Sequence, residues 1–368
     1  MKVLTSPQVL SLLHRPPSLQ SRLDDARRTL YSPGGERALD ALIDDPAAAD
    51  AQERAHALLL RANHRARRAQ ARAAEDAQAA LAWFSAHGAE IEAAECCLSL
   101  GLAAALHGNA DSAVTHLLRA RTLALAHDGL DTLAGVLNCL GFLLSDLEEF
   151  DLADRVLRQA IATAARAHAT PQRMSAQSNL AQNLVRQTLQ PEGAPAWQRA
   201  REMLSEALAL LNDVESFRRA VRDRVGTSAA LDNRAQVYLA RGQPERALPL
   251  LAEAIALSSE AEDAPGVYHA LVHRAIAHLA LGDATAAALC AREALNPAAG
   301  AEFDNARAYD VLGDAEEELG DVAAAAEARK AASLRRRSVR RPDTAARLRA
   351  RLHEFEADAI SPATPRSR

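Results

Sequence analysis

Alanine recurs in a fixed pattern along most of this 368-residue chain, and the repetition limits the folds open to it. Seven pairs of alanines that are seven residues apart mark successive units, and the first alanines of these pairs are 40, 40, 47, 47, 40 and 38 residues apart. In chain order the pairs are Ala73 and Ala80, Ala113 and Ala120, Ala153 and Ala160, Ala200 and Ala207, Ala247 and Ala254, Ala287 and Ala294, and Ala325 and Ala332. Residues seven apart share one side of an α-helix, so each pair predicts a helix that a neighbouring helix approaches closely.

A second amphipathic segment precedes each pair, as the stretch Leu231–Leu257 shows most clearly. Between its two segments, Gly242 suits the left-handed end of one helix and Pro244 suits the first turn of the next. In most copies a small residue stands twelve positions before the first alanine: Gly101, Gly141, Ala235, Ala275 and Gly313. The fourth copy has Ala181 nineteen positions before, because residues 190–197 lengthen its turn, and the first copy has Arg61. The chain therefore predicts seven helical hairpins that must stack to bury their apolar faces.

Composition agrees with closely packed helices and excludes some partners. Aromatic residues make up only 3% of the chain, which leaves little material for a sheet. A net charge of −5 indicates no general attraction to nucleic acid. No apolar run reaches the ~20 residues of a membrane span, and no signal peptide is predicted. The cysteines lack CxxC spacing and are expected to be reduced, partly buried thiols of a cytoplasmic protein: Cys96, Cys97, Cys139 and Cys290.

Four segments are predicted along the chain. Residues 1–47 form an N-terminal helical cap with helices at Leu19–Tyr31 and Glu36–Ile43, and residues 48–337 form the repeat array. Residues 338–360 form a basic amphipathic helix, and residues 361–368 form a disordered tail. The apolar residues of that helix recur at the spacing of a coiled-coil seam or of a helix docked on the last repeat: Ala345, Leu348, Leu352, Phe355 and Ala359.

The hairpins resemble tetratricopeptide repeats. That family places a small residue, often after leucine, in the first helix, a glycine in the turn, and small residues in the second helix. The matching residues are Leu100-Gly101, Leu140-Gly141, Leu312-Gly313, Tyr238, Gly242, Gly282 and Gly320. The resemblance covers roughly residues 51–337 and implies an all-α, right-handed superhelical solenoid. The chain departs from the family in lacking the first-helix tryptophan and in repeat lengths above the usual ~34 residues.

The long repeats also resemble the sensor regions of bacterial tetratricopeptide signalling proteins. In those proteins a basic, leucine-rich helix leads into an output domain such as a diguanylate cyclase, whereas here only SPATPRSR follows residues 338–360. This resemblance implies a sensor-like array that acts through a separate partner or by dimerising. The alternative is that the helix is a simple solubilising cap.

The resemblance also implies a location for ligand binding. First helices of tetratricopeptide proteins line a concave groove, and the corresponding positions here carry mostly amides with few charges. The candidate groove residues are Asn138, Ser178, Asn179, Gln182, Arg186, Asp232, Asn233, Gln236, His269 and His273. Because an amide both donates and accepts, such a row can pair with the main chain of an extended peptide. Alternatively, these side chains only satisfy neighbouring helices or face water.

No motif for catalysis is present. The sequence has no P-loop, no GxGxxG after a strand, no HExxH and no nucleophile elbow, so we expect neither enzymatic activity nor a cofactor. His269 and His273 are four residues apart on one helix face, as metal ligands often are. His278 is rotated off that face and no Glu or Cys completes a site, so these histidines are interpreted as packing or groove residues and no metal is predicted.

The sequence therefore predicts a non-catalytic protein-interaction module that binds a peptide or protein segment and serves as a regulatory or scaffold protein. A first alternative is a regulator whose C-terminal helix forms a homodimer or occupies its own groove. A second is a nucleic-acid-associated factor that uses the arginine-rich end, although nucleic acid is not the expected partner. The residues of that end are Arg335, Arg336, Arg337, Arg340, Arg341, Arg347, Arg349 and Arg351.

Overall fold

The computed structural model describes residues 36–44, 50–67, 70, 72–190, 196–296 and 305–339. These residues form fifteen α-helices and no strand. In chain order the helices are α1 (Glu36–Asp44), α2 (Ala51–Arg67), α3 (Ala73–Ala86), α4 (Glu90–Leu106), α5 (Ala110–Ala126), α6 (Leu130–Asp146), α7 (Phe150–Arg166), α8 (Thr170–Thr188), α9 (Trp197–Ala220), α10 (Arg224–Ala240), α11 (Pro244–Glu260), α12 (Ala264–Ala280), α13 (Ala284–Ala294), α14 (Ala306–Glu318) and α15 (Val322–Val339).

The helices from α2 onward pair into seven antiparallel hairpins, as the alanine pattern predicts. In each hairpin the even-numbered helix comes first and packs against the odd-numbered helix that follows it. Each first helix also contacts the first helix of the next hairpin, from α2 and α4 through to α12 and α14. Elements that approach each other at every step lie at the smaller radius of a superhelix. The first helices therefore form the inner face of an all-α superhelical solenoid.

Small residues set how closely the two helices of a hairpin approach. In the seven pairs, every second alanine and every first alanine except Ala200 is buried. In the second hairpin, a Cβ added to Gly101 would lie 2.7 Å from Cγ of Leu117, so the glycine of α4 makes room for the leucine of α5. Gly141 and Leu157 repeat this arrangement between α6 and α7.

Two hairpins depart from the common pattern. In the fourth, α9 is 24 residues long and Ala200 in its first turn is only half-buried, so Leu204 and Ala207 provide the buried contact. In the first, Arg61 replaces the small residue. Its Nε and Nη2 donate to the Asp76 carboxylate at 2.9 and 2.8 Å, and Nη1 donates to Asp40 at 2.8 Å.

The same ion network attaches the cap helix α1. Arg65 donates to Asp76 at 2.8 Å and to Glu36 at 3.1 Å, so two arginines of α2 join α1 to α3. The helix predicted at Glu36–Ile43 is found as Glu36–Asp44. The predicted helix Leu19–Tyr31, nearly all of the C-terminal helix at 338–360 and the tail at 361–368 lie outside the described residues.

Turn residues end and begin the helices as the sequence predicts. Gly242, Gly282 and Gly320 adopt φ of +67°, +75° and +85°. Asp283 and Asp321 then accept hydrogen bonds at 3.0 Å from the backbone N–H groups of Ala286 and Ala324, which caps the next helix. Other turns place a residue with a side chain in the same left-handed conformation: Asp128, Glu148, His168, Arg222 and Glu262.

All four cysteines are buried and none forms a disulfide bond, in agreement with the expectation of reduced thiols. Burial raises the pKa of Cys96, Cys97 and Cys290, which keeps these thiols protonated and unreactive. None of the helices α1–α15 combines the length and the apolar character that crossing a bilayer requires.

Candidate ligand-binding groove

Polar side chains of the first helices meet along the inner face of the solenoid. Polar residues two or three positions before the small residue of α6, α8, α10 and α12 form hydrogen bonds with the neighbouring first helix. Asn179 Nδ2 donates to Asn138 Oδ1 at 2.9 Å, between α8 and α6. Asn233 Nδ2 of α10 donates to Ser178 Oγ of α8 at 3.0 Å. The amide row inferred from sequence is therefore joined across neighbouring helices by a hydrogen-bond network, in which Asn138 and Asn179 form a separate pair.

Asn233 is the most highly connected member of this network. Besides donating to Ser178, its Oδ1 accepts from Gln182 Nε2 at 2.6 Å and from Gln236 Nε2 at 3.2 Å. Two of these three bonds cross from α10 to α8. Because one amide holds both of them, its position fixes the spacing of the two helices on the inner face.

An aspartate–histidine pair continues the network to α12. Nδ1 of His273 lies 2.7 Å from Oδ1 of Asp232, and Gln236 Nε2 donates to Oδ2 of Asp232 at 3.1 Å. Burial acts to raise the pKa of Asp232, but His273, His269 and the Gln236 hydrogen bond outweigh it and lower the pKa. Asp232 is thus an ionised carboxylate that accepts hydrogen bonds from within the protein.

Burial divides the candidate residues into two groups. Asp232, Asn233 and His273 are 7%, 5% and 5% exposed, so they brace adjacent helices from within. The second group is half-buried: Asn138, Ser178, Asn179, Gln182, Arg186 and Gln236. The alternative in which these side chains satisfy neighbouring helices therefore describes the first group. Direct ligand contact by any of these residues stays a prediction.

The half-buried amides keep one polar atom each for further bonding. In the hydrogen-bond pattern above, Asn138 retains its Nδ2 donor, whereas Asn179, Gln182 and Gln236 retain their side-chain oxygens as acceptors. None of these four atoms is among the buried polar atoms that lack a partner. They therefore reach the surface, where they can bind donor and acceptor groups of a ligand.

Charged and ionisable side chains also lie on the first helices. Arg186 Nη2 and Asp146 Oδ1 form a loose, exposed ion pair at 3.4 Å. His269 is exposed, yet burial lowers its pKa, an effect that Asp232 opposes. A side chain that solvent can reach but that protein surrounds has this combination, as expected at the bottom of a concave surface.

Arg307 of α14 shares this environment and was not among the candidates from sequence. It is exposed, and burial lowers its pKa although Asp232 and Tyr268 oppose the effect. A signal for it does exist in the sequence. Arg307 stands six residues before Gly313, as His269 stands six before Ala275, so the two side chains occupy equivalent positions in successive repeats.

The histidines do not assemble into a metal centre in the described part of the chain. His273 is bound to Asp232, and His278 Nδ1 lies 3.7 Å from Asp283 Oδ2 in the turn that follows its helix. No three His, Cys, Asp or Glu side chains of the described residues are grouped as metal ligands.

Comparison with known proteins supports the fold. No family model matches the chain, and no curated protein matches it in sequence. Among solved structures, a Rap protein complexed with competence and sporulation factor superposes with a TM-score of 0.61 at 13% identity over 90% of each chain. NprR in complex with its cognate peptide NprX superposes with a TM-score of 0.55 at 14% identity, over 95% of this chain and 96% of NprR. Both are tetratricopeptide-like repeat proteins.

These matches do not bear on the resemblance to cyclase-linked signalling proteins, which stays a prediction. They agree with the seven hairpins, their alanine contacts and their glycine turns. The chain thus has the tetratricopeptide-like helical-repeat fold.

Proposed function

We propose that this protein is a non-catalytic regulatory or scaffold protein that binds a peptide, or an extended segment of a protein, along the inner face of α6, α8, α10 and α12. The observation that carries the proposal is the set of unused amide atoms on Asn138, Asn179, Gln182 and Gln236. Each of these side chains is held within the protein by one hydrogen bond, or by two in the case of Gln236, and keeps a second group for the ligand.

Preorganisation makes this arrangement suited to binding. A free glutamine loses rotamer freedom when it binds a ligand, which reduces the affinity. Here Gln182 and Gln236 are already fixed by Asn233, so that loss occurs on folding rather than on binding. Amides at fixed spacing match the repeating N–H and C=O groups of an extended peptide main chain. They are less suited to recognising one particular side chain of the peptide.

The structural comparisons support a peptide as the ligand class. The NprR structure contains its cognate peptide, and the Rap structure contains competence and sporulation factor. At 13–14% identity these similarities establish a common fold. We extend the ligand class to this chain because its own inner face provides the amides. A cytoplasmic location fits the buried, reduced thiols.

A peptide-library experiment tests the proposal. The full chain is immobilised and incubated with a synthetic library of random nine-residue peptides, and retained peptides are quantified by mass spectrometry. The test variant is Asn138→Ala with Asn179→Ala, which removes both partners of one hydrogen bond and so leaves neither unsatisfied. We expect its retention of peptides to fall roughly tenfold, since two ligand hydrogen bonds are lost, with little change in melting temperature.

A matched control has Gln159→Ala and Gln198→Ala, which remove two exposed amides from the second helices α7 and α9. It should retain peptides as the wild type does. A retained peptide resynthesised with N-methylated main-chain nitrogens should bind weakly, because it cannot donate to the free oxygens of Asn179, Gln182 and Gln236. Failure of the wild type to retain any peptide, or equal retention by the groove variant, would contradict the proposal.

A further inference from the structure

Asp232 determines how the amides around it are oriented. An ionised carboxylate only accepts hydrogen bonds, whereas an amide has a donor end and an acceptor end. Oδ2 of Asp232 lies 3.1 Å from Gln236, so the atom of Gln236 that faces it must be the nitrogen Nε2. Oδ1 of Asp232 accepts from Nδ1 of His273 at 2.7 Å, which holds the carboxylate between α10 and α12.

The orientation passes from Gln236 to two further amides. Nε2 of Gln236 also lies 3.2 Å from Asn233, and because the glutamine donates there, the Asn233 atom must be the oxygen Oδ1. The same oxygen lies 2.6 Å from Gln182, which must therefore present its own nitrogen Nε2. Exchanging oxygen and nitrogen in any one of these amides would place two donors or two acceptors against each other. One buried carboxylate thus sets the polarity of amides on α10 and α8.

This polarity restricts what the groove offers to a ligand. Both hydrogens of Gln236 Nε2 are used within the protein, by Asp232 and Asn233, so only its oxygen Oε1 remains. Gln182 keeps its oxygen and the second hydrogen of Nε2. Asp232 and Asn233 are only 7% and 5% exposed, whereas both glutamines are half-buried. The residues open to a ligand are therefore the glutamines, and Gln236 can act only as an acceptor.

We propose that Asp232 is a positioning residue for ligand binding, which through Gln236 and Asn233 makes the α8–α10 part of the groove select main-chain N–H groups over hydrogen-bond acceptors. This inference rests on the proposed function and specifies which groups of the peptide are recognised there. A ligand acceptor placed against Gln236 Oε1 gains no hydrogen bond and meets a partial charge of the same sign. Rotating the Gln236 amide to relieve that contact would place its oxygen against the Asp232 carboxylate.

Replacing main-chain N–H groups of a peptide by ester oxygens tests the inference. The probe is the nine-residue peptide that the full-length wild type retains most strongly from the random library. It is resynthesised with one N–H at a time replaced by an ester oxygen, which removes a donor with little change in size. The wild type should bind at least one ester analogue about tenfold more weakly than the parent peptide, as measured by isothermal titration calorimetry.

Two variants assign this ester penalty to the oriented amides. An amide in place of the carboxylate can face Gln236 with either its oxygen or its nitrogen, so Asp232→Asn should reduce the penalty at one peptide position to about threefold or less. Gln236→Met removes the oriented oxygen but keeps a side chain of similar length, and it should reduce the penalty at the same position. The control Asp213→Asn removes one charge from an exposed residue of the second helix α9 and should leave every penalty unchanged.

Each penalty is a ratio of two affinities measured on one protein preparation, so partial unfolding of a variant lowers both affinities and leaves the ratio unchanged. Gln236→Met alters a half-buried side chain and leaves the buried Asp232–His273 pair in place, which provides a test should Asp232→Asn fail to fold. Wild-type binding that tolerates every ester, or a full set of penalties in either variant, overturns the role of Asp232 but leaves peptide binding intact. If the wild type retains no peptide, the proposed function fails and this inference fails with it.

Discussion

Two glycines of α6 separate the effect of helix propensity from that of packing. An alanine in a helix interior is more stable than a glycine by about 1 kcal/mol, so propensity alone predicts that Gly135→Ala and Gly141→Ala are equally stabilising. The structure predicts opposite outcomes. A Cβ on Gly135 would lie 2.6 Å from Leu98 Cδ2, with the next atom at 3.8 Å, and this half-buried leucine can rotate its end away.

Gly141 has no such freedom around it. A Cβ there would overlap Cγ as well as Cδ2 of Leu157, and that leucine is fully buried between α6 and α7. Overpacking of a filled core costs about 1–3 kcal/mol, which exceeds the gain in propensity. We expect Gly141→Ala to destabilise the protein by about 1 kcal/mol and Gly135→Ala to stabilise it by up to about 1 kcal/mol.

Urea unfolding followed by circular dichroism measures both variants against the wild type. A double-mutant cycle with Leu157→Ala adds a second check: once the leucine is shortened, the same Gly141→Ala change should become favourable, because only the propensity term remains. If Gly141→Ala proves as stable as Gly135→Ala, the proposed fit of leucine against glycine between paired helices is wrong.

Two further predictions concern the first hairpin and the groove. Asp76→Ala should destabilise the protein by roughly 3 kcal/mol in urea unfolding, because Arg61 and Arg65 lose their shared buried partner. Asp154→Ala, which removes one partner of the exposed Arg158, should cost under ~1 kcal/mol, and similar losses for both variants would refute this reasoning. The pKa of His269 is lowered below its usual 6.5, so the unfolded chain binds a proton at this histidine more readily than the folded chain does. The wild type should therefore lose stability relative to His269→Gln as the pH falls below about 6.5. Parallel stability profiles of the two proteins against pH would contradict the effect.

The alanine and glycine pattern predicts the fold because it reports a steric requirement that each hairpin must satisfy locally. Gly101 and Gly141 are recognisable in the sequence since only a residue without a side chain fits opposite Leu117 and Leu157. Arg61 breaks the pattern in the first hairpin. Its partner Asp76 lies on the next helix. The positions of these two residues in the repeat do not indicate that Arg61 donates two hydrogen bonds to the Asp76 carboxylate.

The candidate groove was predictable in location but not in detail. Position within the repeat places Asn179 and Asn233 on the same face, yet it does not indicate that the first reaches solvent and the second is buried. Burial depends on the angle between successive hairpins, which no single repeat specifies. Arg307 was missed for a related reason: the ionisable groups that influence its pKa most, those of Asp232 and Tyr268, belong to other hairpins.

The shared bonds of Asn233 also have a mechanical consequence. Both of its inter-helix hydrogen bonds end on α8, at Ser178 and Gln182, and they come from a single side chain with two rotatable bonds. Rotation of that one side chain would exchange both bonds together rather than one after the other. The hydrogen bonding that Asn233 provides between α8 and α10 is therefore made or broken as a unit.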